Sequence, residues 1–190
     1  MNKNIAIFAS GNGSNAENIV RYFRENGGAQ VGLIVCNRKQ AFVFERARKL
    51  GVPSVYMEKE AWADGGKILE LLRSEGVDFI VLAGFLLRVP DCLLEAYPNR
   101  IVNIHPSLLP KYGGKGMYGD RVHEAVVAAG ERESGITIHY IDEHFDEGTV
   151  IAQFRCPVLP TDSSADVAAK VHALEYSHYP QVIAGLLNEM

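Results

Sequence analysis

Residues 5–16 read Ile5-Ala6-Ile7-Phe8-Ala9-Ser10-Gly11-Asn12-Gly13-Ser14-Asn15-Ala16. Five apolar residues in succession suit a strand covered on both faces. The residues from Ser10 to Asn15 are small or polar, the punctuation of a tight turn. Beyond them, Ala16, Ile19, Val20 and Phe23 recur at i, i+3, i+4 and i+7, one apolar stripe along a helix. A strand, a glycine turn and a helix in that order open an α/β fold.

The pattern repeats outward. Val31–Cys36, Ser54–Met57, Phe79–Leu82 and Ile101–Ile104 are further short apolar runs. Helical stretches separate them: about Ala41–Leu50, stopped by Gly51 with Pro53 beyond, and about Lys67–Ser74, stopped before Gly76. Such alternation predicts a Rossmann-like, mostly parallel sheet with right-handed crossovers and helices on both faces. After residue 130 the character changes. Ile136, Ile138 and Ile141 lie among polar residues, and Val150–Val158 is a second extended run close behind. The short connection Asp142–Thr149 predicts an antiparallel pair. A long C-terminal helix is expected from Ser163, where Ser163-x-x-Asp166 has the form of a capping box, with Pro180 kinking or interrupting it.

Residues 1–190 read as a single domain, a length that one core can support. The net charge of −4 disfavours a generic nucleic-acid binder or membrane-surface protein. No apolar run approaches the roughly 18 residues of a membrane helix, and the N-terminus carries no signal-peptide pattern. Cys36, Cys92 and Cys156 are scattered, which suits a reducing cytoplasm.

Three clusters carry chemistry. The Ser10–Asn15 turn places small residues at a helix N-terminus, where backbone N–H groups and the helix dipole favour a phosphate; a plain capped turn is the alternative. Gly11-x-Gly13-x-x-Ala16 also fits a dinucleotide fingerprint, but the second strand ends Val35-Cys36-Asn37-Arg38 without the ribose-binding acid, leaving only a 2′-phosphorylated dinucleotide open. Next, Asn103-Ile104-His105-Pro106-Ser107-Leu108-Leu109-Pro110 sits at the C-terminal end of a buried strand, the edge where open α/β sheets bind ligands. Asn103 and His105 are two apart and share a strand face; an amide donor beside an imidazolium suits a developing oxyanion. Third is the acidic run Asp142-Glu143-His144-Phe145-Asp146-Glu147, which could bring a carboxylate to His105 or be a solvated loop. No His/Cys set supports a metal. Between residues 100 and 121, Arg100, Lys111, Lys115 and Arg121 face Asp120 alone, an island that can attract an anion.

These blocks, with Leu82-Ala83-Gly84-Phe85 and His139 through Asp146, occur in an order that resembles the folate-dependent formyltransferase family, in particular its branch acting on glycinamide ribonucleotide. The resemblance spans nearly the whole chain. It implies transfer of the formyl group of 10-formyltetrahydrofolate to the ribonucleotide amine in purine biosynthesis, with Asn103, His105 and Asp146 as the catalytic trio and Asp146 keeping His105 charged. It also implies ribonucleotide contacts at Gly13, Ser14, Asn15, His172 and Glu175. Leu86, Leu87, Arg88 and Val89, with Asn103 and Asp142, Glu143, His144, Phe145 and Asp146, would surround the folate. No metal and no nucleic acid are implied, and a monomer or homodimer is expected. The segment Lys111-Tyr112-Gly113-Gly114-Lys115-Gly116-Met117-Tyr118-Gly119 departs from the commonest bacterial pattern and looks like a plant-type variant. Rival readings are a formyltetrahydrofolate hydrolase, another folate-dependent formyltransferase that normally carries an additional domain, or a nucleotide-binding regulator without catalysis.

Overall fold

The computed structural model describes residues 2–190. β1 (Lys3–Ala9) pairs in parallel with β2 (Ala29–Cys36) on one side and with β4 (Phe79–Leu82) on the other. β3 (Ser54–Tyr56) adds in parallel outside β2, and β5 (Ile101–His105) outside β4. Antiparallel β6 (Glu133–Tyr140) and β7 (Val150–Pro157) complete a seven-stranded sheet of order β3-β2-β1-β4-β5-β6-β7. The parallel core and the antiparallel C-terminal pair are as the sequence predicts.

The strand period of two divides the core. Ile5, Ile7 and Ala9 turn to the face covered by α1 (Ser14–Asn26), α2 (Val43–Leu50), α6 (Asp120–Ala128) and α7 (Ser164–Asn188). Ala6 and Phe8 turn to the face covered by α3 (Lys59–Asp64), α4 (Gly66–Ser74) and α5 (Asp91–Ala96). Both faces are therefore buried, which explains why β1 is apolar without alternation. The stripe Ala16, Ile19, Val20 and Phe23 is buried as expected.

Three helices escape the sequence patterns. α3 and α5 have six residues each, fewer than two turns, too few for a periodic stripe to stand out. α6 follows a glycine-rich segment whose turn signals mask its start. α2 begins at Val43 rather than Ala41, because Arg38–Phe44 first forms turns in which Ala41 N–H donates to the Arg38 carbonyl.

The capping box at α7 is present: Ser163 Oγ accepts from Asp166 N–H, and the Asp166 carboxylate accepts from Ser163 N–H at 2.8 Å. Pro180 does not interrupt the helix, correcting that part of the expectation. Its missing N–H would have bonded the carbonyl of Tyr176, four residues back. That carbonyl instead accepts Asn18 Nδ2 of α1 at 2.9 Å. A side chain thus satisfies the backbone group that proline leaves free, and the helix continues.

Candidate active site

The sheet order places the crossover from β1 to β2 and that from β3 to β4 on opposite faces, opening a crevice at the C-terminal ends of β1 and β4. The glycine turn leaves β1 at this point and residues 83–88 leave β4. Two hydrogen bonds join these segments: Ser10 N–H donates to the Gly84 carbonyl at 3.0 Å, and the buried Ser10 Oγ accepts Leu86 N–H at 2.9 Å. A cavity of about 720 Å³ opens over them, large enough for substrates of drug-like size.

One wall is the Gly11–Asn15 turn. Gly13 is left-handed at φ 75°, and a Cβ there would lie 2.4 Å from the Val43 side chain, so both backbone shape and packing call for glycine. No side chain caps α1, and Glu17 N–H is the donor that takes the Gly13 carbonyl. The first-turn N–H groups before it have no intrahelical acceptor, which makes this a ready anion site. Arg46 holds the turn from behind, donating to Asn12 O at 2.9 Å and Asn12 Oδ1 at 2.7 Å while pairing with Glu17.

Beside the turn, Glu175 of α7 is buried and accepts Asn15 Nδ2 and His172 Nδ1, each at 2.9 Å. The hydrogen bond to Glu175 raises the His172 pKa above its ordinary value. Asn15 Oδ1 and, across from His172, His123 Nδ1 are buried without a partner. Unsatisfied buried polar atoms in a cavity wall are groups awaiting a ligand or water. His123 is a wall residue that sequence reading misses; burial and the nearby His172 lower its pKa.

The Asn103, His105 and Asp146 cluster is built from β5, β6 and the loop that follows β6. Asn103 and His139 are register partners, and Asn103 Nδ2 lies 3.2 Å from His139 Nε2. His139 Nδ1 donates to the Tyr140 carbonyl at 2.9 Å, so in the neutral ring Nε2 is the acceptor and Asn103 must present its NH₂. One amide N–H remains for the cavity. His105 Nε2 donates to the Tyr112 carbonyl at 2.7 Å. Its Nδ1 lies 3.4 Å from Asp146 Oδ2, close enough for ion pairing but long for a hydrogen bond. The same Asp146 oxygen accepts Gly114 N–H at 2.9 Å, and Asp146 Oδ1 is 3.7 Å from His139 Nε2.

Burial pushes the Asp146 carboxyl up, but His139, His105 and the Gly114 N–H together bring it below the ordinary value. It is an ionised carboxylate. For His105, burial favours the neutral ring more than Asp146 favours the charged one, and the pKa falls below ordinary imidazole. Burial thus works against the expectation that Asp146 keeps His105 charged. Desolvation of a ring on a buried strand end opposes the carboxylate.

The remaining residues singled out from sequence divide by position. Leu86, Leu87, Arg88 and Phe145 line the cavity, together with Gly13, Ser14, Asn15, Asn103, His105, Asp146, His172 and Glu175. Val89 packs in the core on the α4–α5 face. Asp142 accepts His144 N–H and shapes the loop, while Glu143 and His144 are exposed outside the cavity wall; the Glu143 carbonyl takes Arg88 Nε at 3.0 Å. Among the described residues no group of three or more His, Cys, Asp or Glu side chains could hold a metal ion, and no helix is long and apolar enough to cross a membrane.

The sequence pattern defining the formyl transferase family matches residues 3–183. The chain belongs to the formyl transferase family. This formyl transferase is 41% identical to the phosphoribosylglycinamide formyltransferase of Bacillus subtilis over 97% of its own chain and 95% of that relative. It is 40% identical to the chloroplastic phosphoribosylglycinamide formyltransferase of Vigna unguiculata over 98% of its own length, but spans only 62% of that longer protein. Among solved structures, glycinamide ribonucleotide transformylase 1 from Symbiobacterium toebii superposes with a TM-score of 0.90 at 32% identity, covering 99% of this chain and 89% of the other. The resemblance carried by short sequence blocks thus extends to the whole formyl transferase fold.

Proposed function

We propose that this formyl transferase moves the formyl group of 10-formyltetrahydrofolate to the amine of glycinamide ribonucleotide, a step of de novo purine biosynthesis. One observation carries the reading. A single cavity joins an anion-binding helix start at Gly11–Asn15, the Asn103–His105–Asp146 cluster and the apolar Leu86–Leu87 wall. A phosphate, an acyl-transfer centre and a flat heteroaromatic ring can therefore be held at once.

The chemistry follows from the geometry. The uncharged amine attacks the formyl carbon, a C–N bond forms, and the carbonyl electrons move onto oxygen. The free N–H of Asn103 is a donor for that oxyanion. Because His105 Nε2–H is committed to Tyr112, the ring offers a second proton, on Nδ1, only when it is charged. Growth of negative charge on the substrate beside the Asp146 carboxylate favours that charged form. Collapse of the intermediate breaks the bond to N10; the attacking nitrogen loses a proton and N10 gains one. The protein acts on two small molecules, as a monomer or homodimer in the cytoplasm, and residues 1–190 work as one domain.

Mixing the protein with glycinamide ribonucleotide and 10-formyltetrahydrofolate is expected to yield formylated ribonucleotide and tetrahydrofolate together. Formate release at equal rate with and without the ribonucleotide would identify a hydrolase instead. Ribonucleotide binding without turnover would identify a regulator.

A further inference from the structure

The glycine turn supplies the substrate phosphate with backbone N–H groups and no cation, since Arg46 is turned away to Asn12 and Glu17. A phosphate monoester carries close to two negative charges at neutral pH. Of the two full cations in the cavity wall, Arg88 is committed to Asp91 and the Glu143 carbonyl. Lys115 is exposed and has no ion-pair or hydrogen-bond partner in the described residues.

The segment carrying Lys115 is shaped for presentation. Gly114 and Gly116 on either side have φ 91° and 90°, and a Cβ on either would meet nothing within 4 Å. They are glycine for backbone conformation, not for room. At one end the segment is pinned by the Gly114 N–H on Asp146. At the other it runs into α6, which sets His123 beside His172, and His172 shares Glu175 with Asn15 of the turn. The lysine is therefore carried in the cavity wall on a glycine-flanked segment strung between the Asp146 contact and α6.

Resting on the formyl-transfer reading, we propose that Lys115 is the cation that neutralises the ribonucleotide phosphate, closing over the anion held by the Gly11–Asn15 turn. A flexible ammonium on a long stem suits a charge that must release its product. Of the cations between residues 100 and 121, Lys111 is paired with Glu131, and only Lys115 lines the cavity.

The test is calorimetric titration of the full chain and its Lys115→Met and Lys115→Arg variants with three probes: glycinamide ribonucleotide, the matching nucleoside without phosphate, and a non-transferable folate analogue. Lys115→Met is expected to weaken the ribonucleotide about 10-fold or more, the scale of a lost charge-assisted contact. Lys115→Arg should restore most of the affinity, and nucleoside and folate-analogue affinities should be unchanged. Equal weakening of nucleoside and ribonucleotide, weakening of the folate analogue instead, or no change at all would each overturn the assignment. Turnover is scored separately: ribonucleotide binding that depends on Lys115 without formyl transfer refutes the proposed reaction and leaves Lys115 in place. A wild-type chain that binds no ribonucleotide refutes both.

Discussion

Asp146 Oδ2 faces two donors of opposite kind, the Gly114 N–H at 2.9 Å and the His105 ring nitrogen Nδ1 at 3.4 Å. The first is permanent; the second carries a proton only when the ring is charged. The carboxylate is thus anchored by backbone and free to respond to the charge state of the ring.

Asp146→Asn preserves shape and removes that response. Without the carboxylate the His105 pKa falls further, since Asp146 is the foremost influence raising it. If charged His105 is the active form, the high-pH limb of the rate profile moves to lower pH, and kcat drops on the order of 10²–10⁴-fold, with KM values moving less. Steady-state kinetics from pH 5 to 9 on the folded variant measure both. Near-normal kcat at neutral pH would remove Asp146 from the mechanism.

The two glycines of the turn separate stability from binding. At Gly11 a Cβ meets nothing within 4 Å, so Gly11→Val projects into the cavity and is expected to raise the ribonucleotide KM with little change in Tm. At Gly13 the Cβ strikes Val43 in a left-handed backbone, so Gly13→Ala should lose about 1–3 kcal/mol of stability. Thermal melts and substrate titrations on the pair distinguish the roles.

Tyr179 is fully buried on α7, and its hydroxyl lies 2.9 Å from the Leu82 carbonyl and 3.2 Å from that of Val102. It fastens the helix bearing Glu175 to β4 and to β5, the strand that carries Asn103 and His105. Tyr179→Phe leaves the ring and removes the donor, a loss of about 1–2 kcal/mol, or roughly 2–8 °C in Tm for a chain of this size. An unchanged melting temperature would mean that the hydroxyl contributes nothing net.

Acid sensitivity should track the histidines. His105 and His123 have folded pKa values below ordinary imidazole, chiefly through burial. As pH falls below about 6.5 the unfolded chain takes up protons before the folded one, and stability is lost. His172 is raised and works oppositely: its contribution is complete below about 6.5 and is lost as pH rises through its folded value. Tm should therefore decline less between pH 6.5 and 5 in His123→Gln, and fall less as pH rises above 6.5 in His172→Gln, compared with the parent. Parallel curves for all three proteins would refute the linkage.

The strand, turn and helix at residues 5–23 were legible because short-range period and turn chemistry agree there, and both faces of β1 are covered. Asn103 and His105 were legible because two residues apart on a strand end is itself a geometry. His123 was not: its neighbour His172 is on another helix, and only the packing of α6 against α7 brings them together. The charge of His105 was also hidden, because a sequence names the carboxylate that can raise a pKa but not the depth of burial that lowers it. Val89 shows the limit of contiguous motifs; it follows three cavity residues yet turns into the core.

Pro180 gives the long helix a second meaning. By withholding one rung of the backbone ladder it leaves the Tyr176 carbonyl for Asn18, and that bond ties α1 to α7 about one turn from Asn15 on α1 and one residue from Glu175 on α7. The spacing between Asn15 and Glu175 is thus gauged by a defect in the helix beside it. Pro180→Ala would repair the rung and compete with Asn18 for the Tyr176 carbonyl, so a locally stronger helix would come with a looser tie to α1. In this chain, regularity of the backbone of α7 and the tightness of its tie to α1 oppose each other.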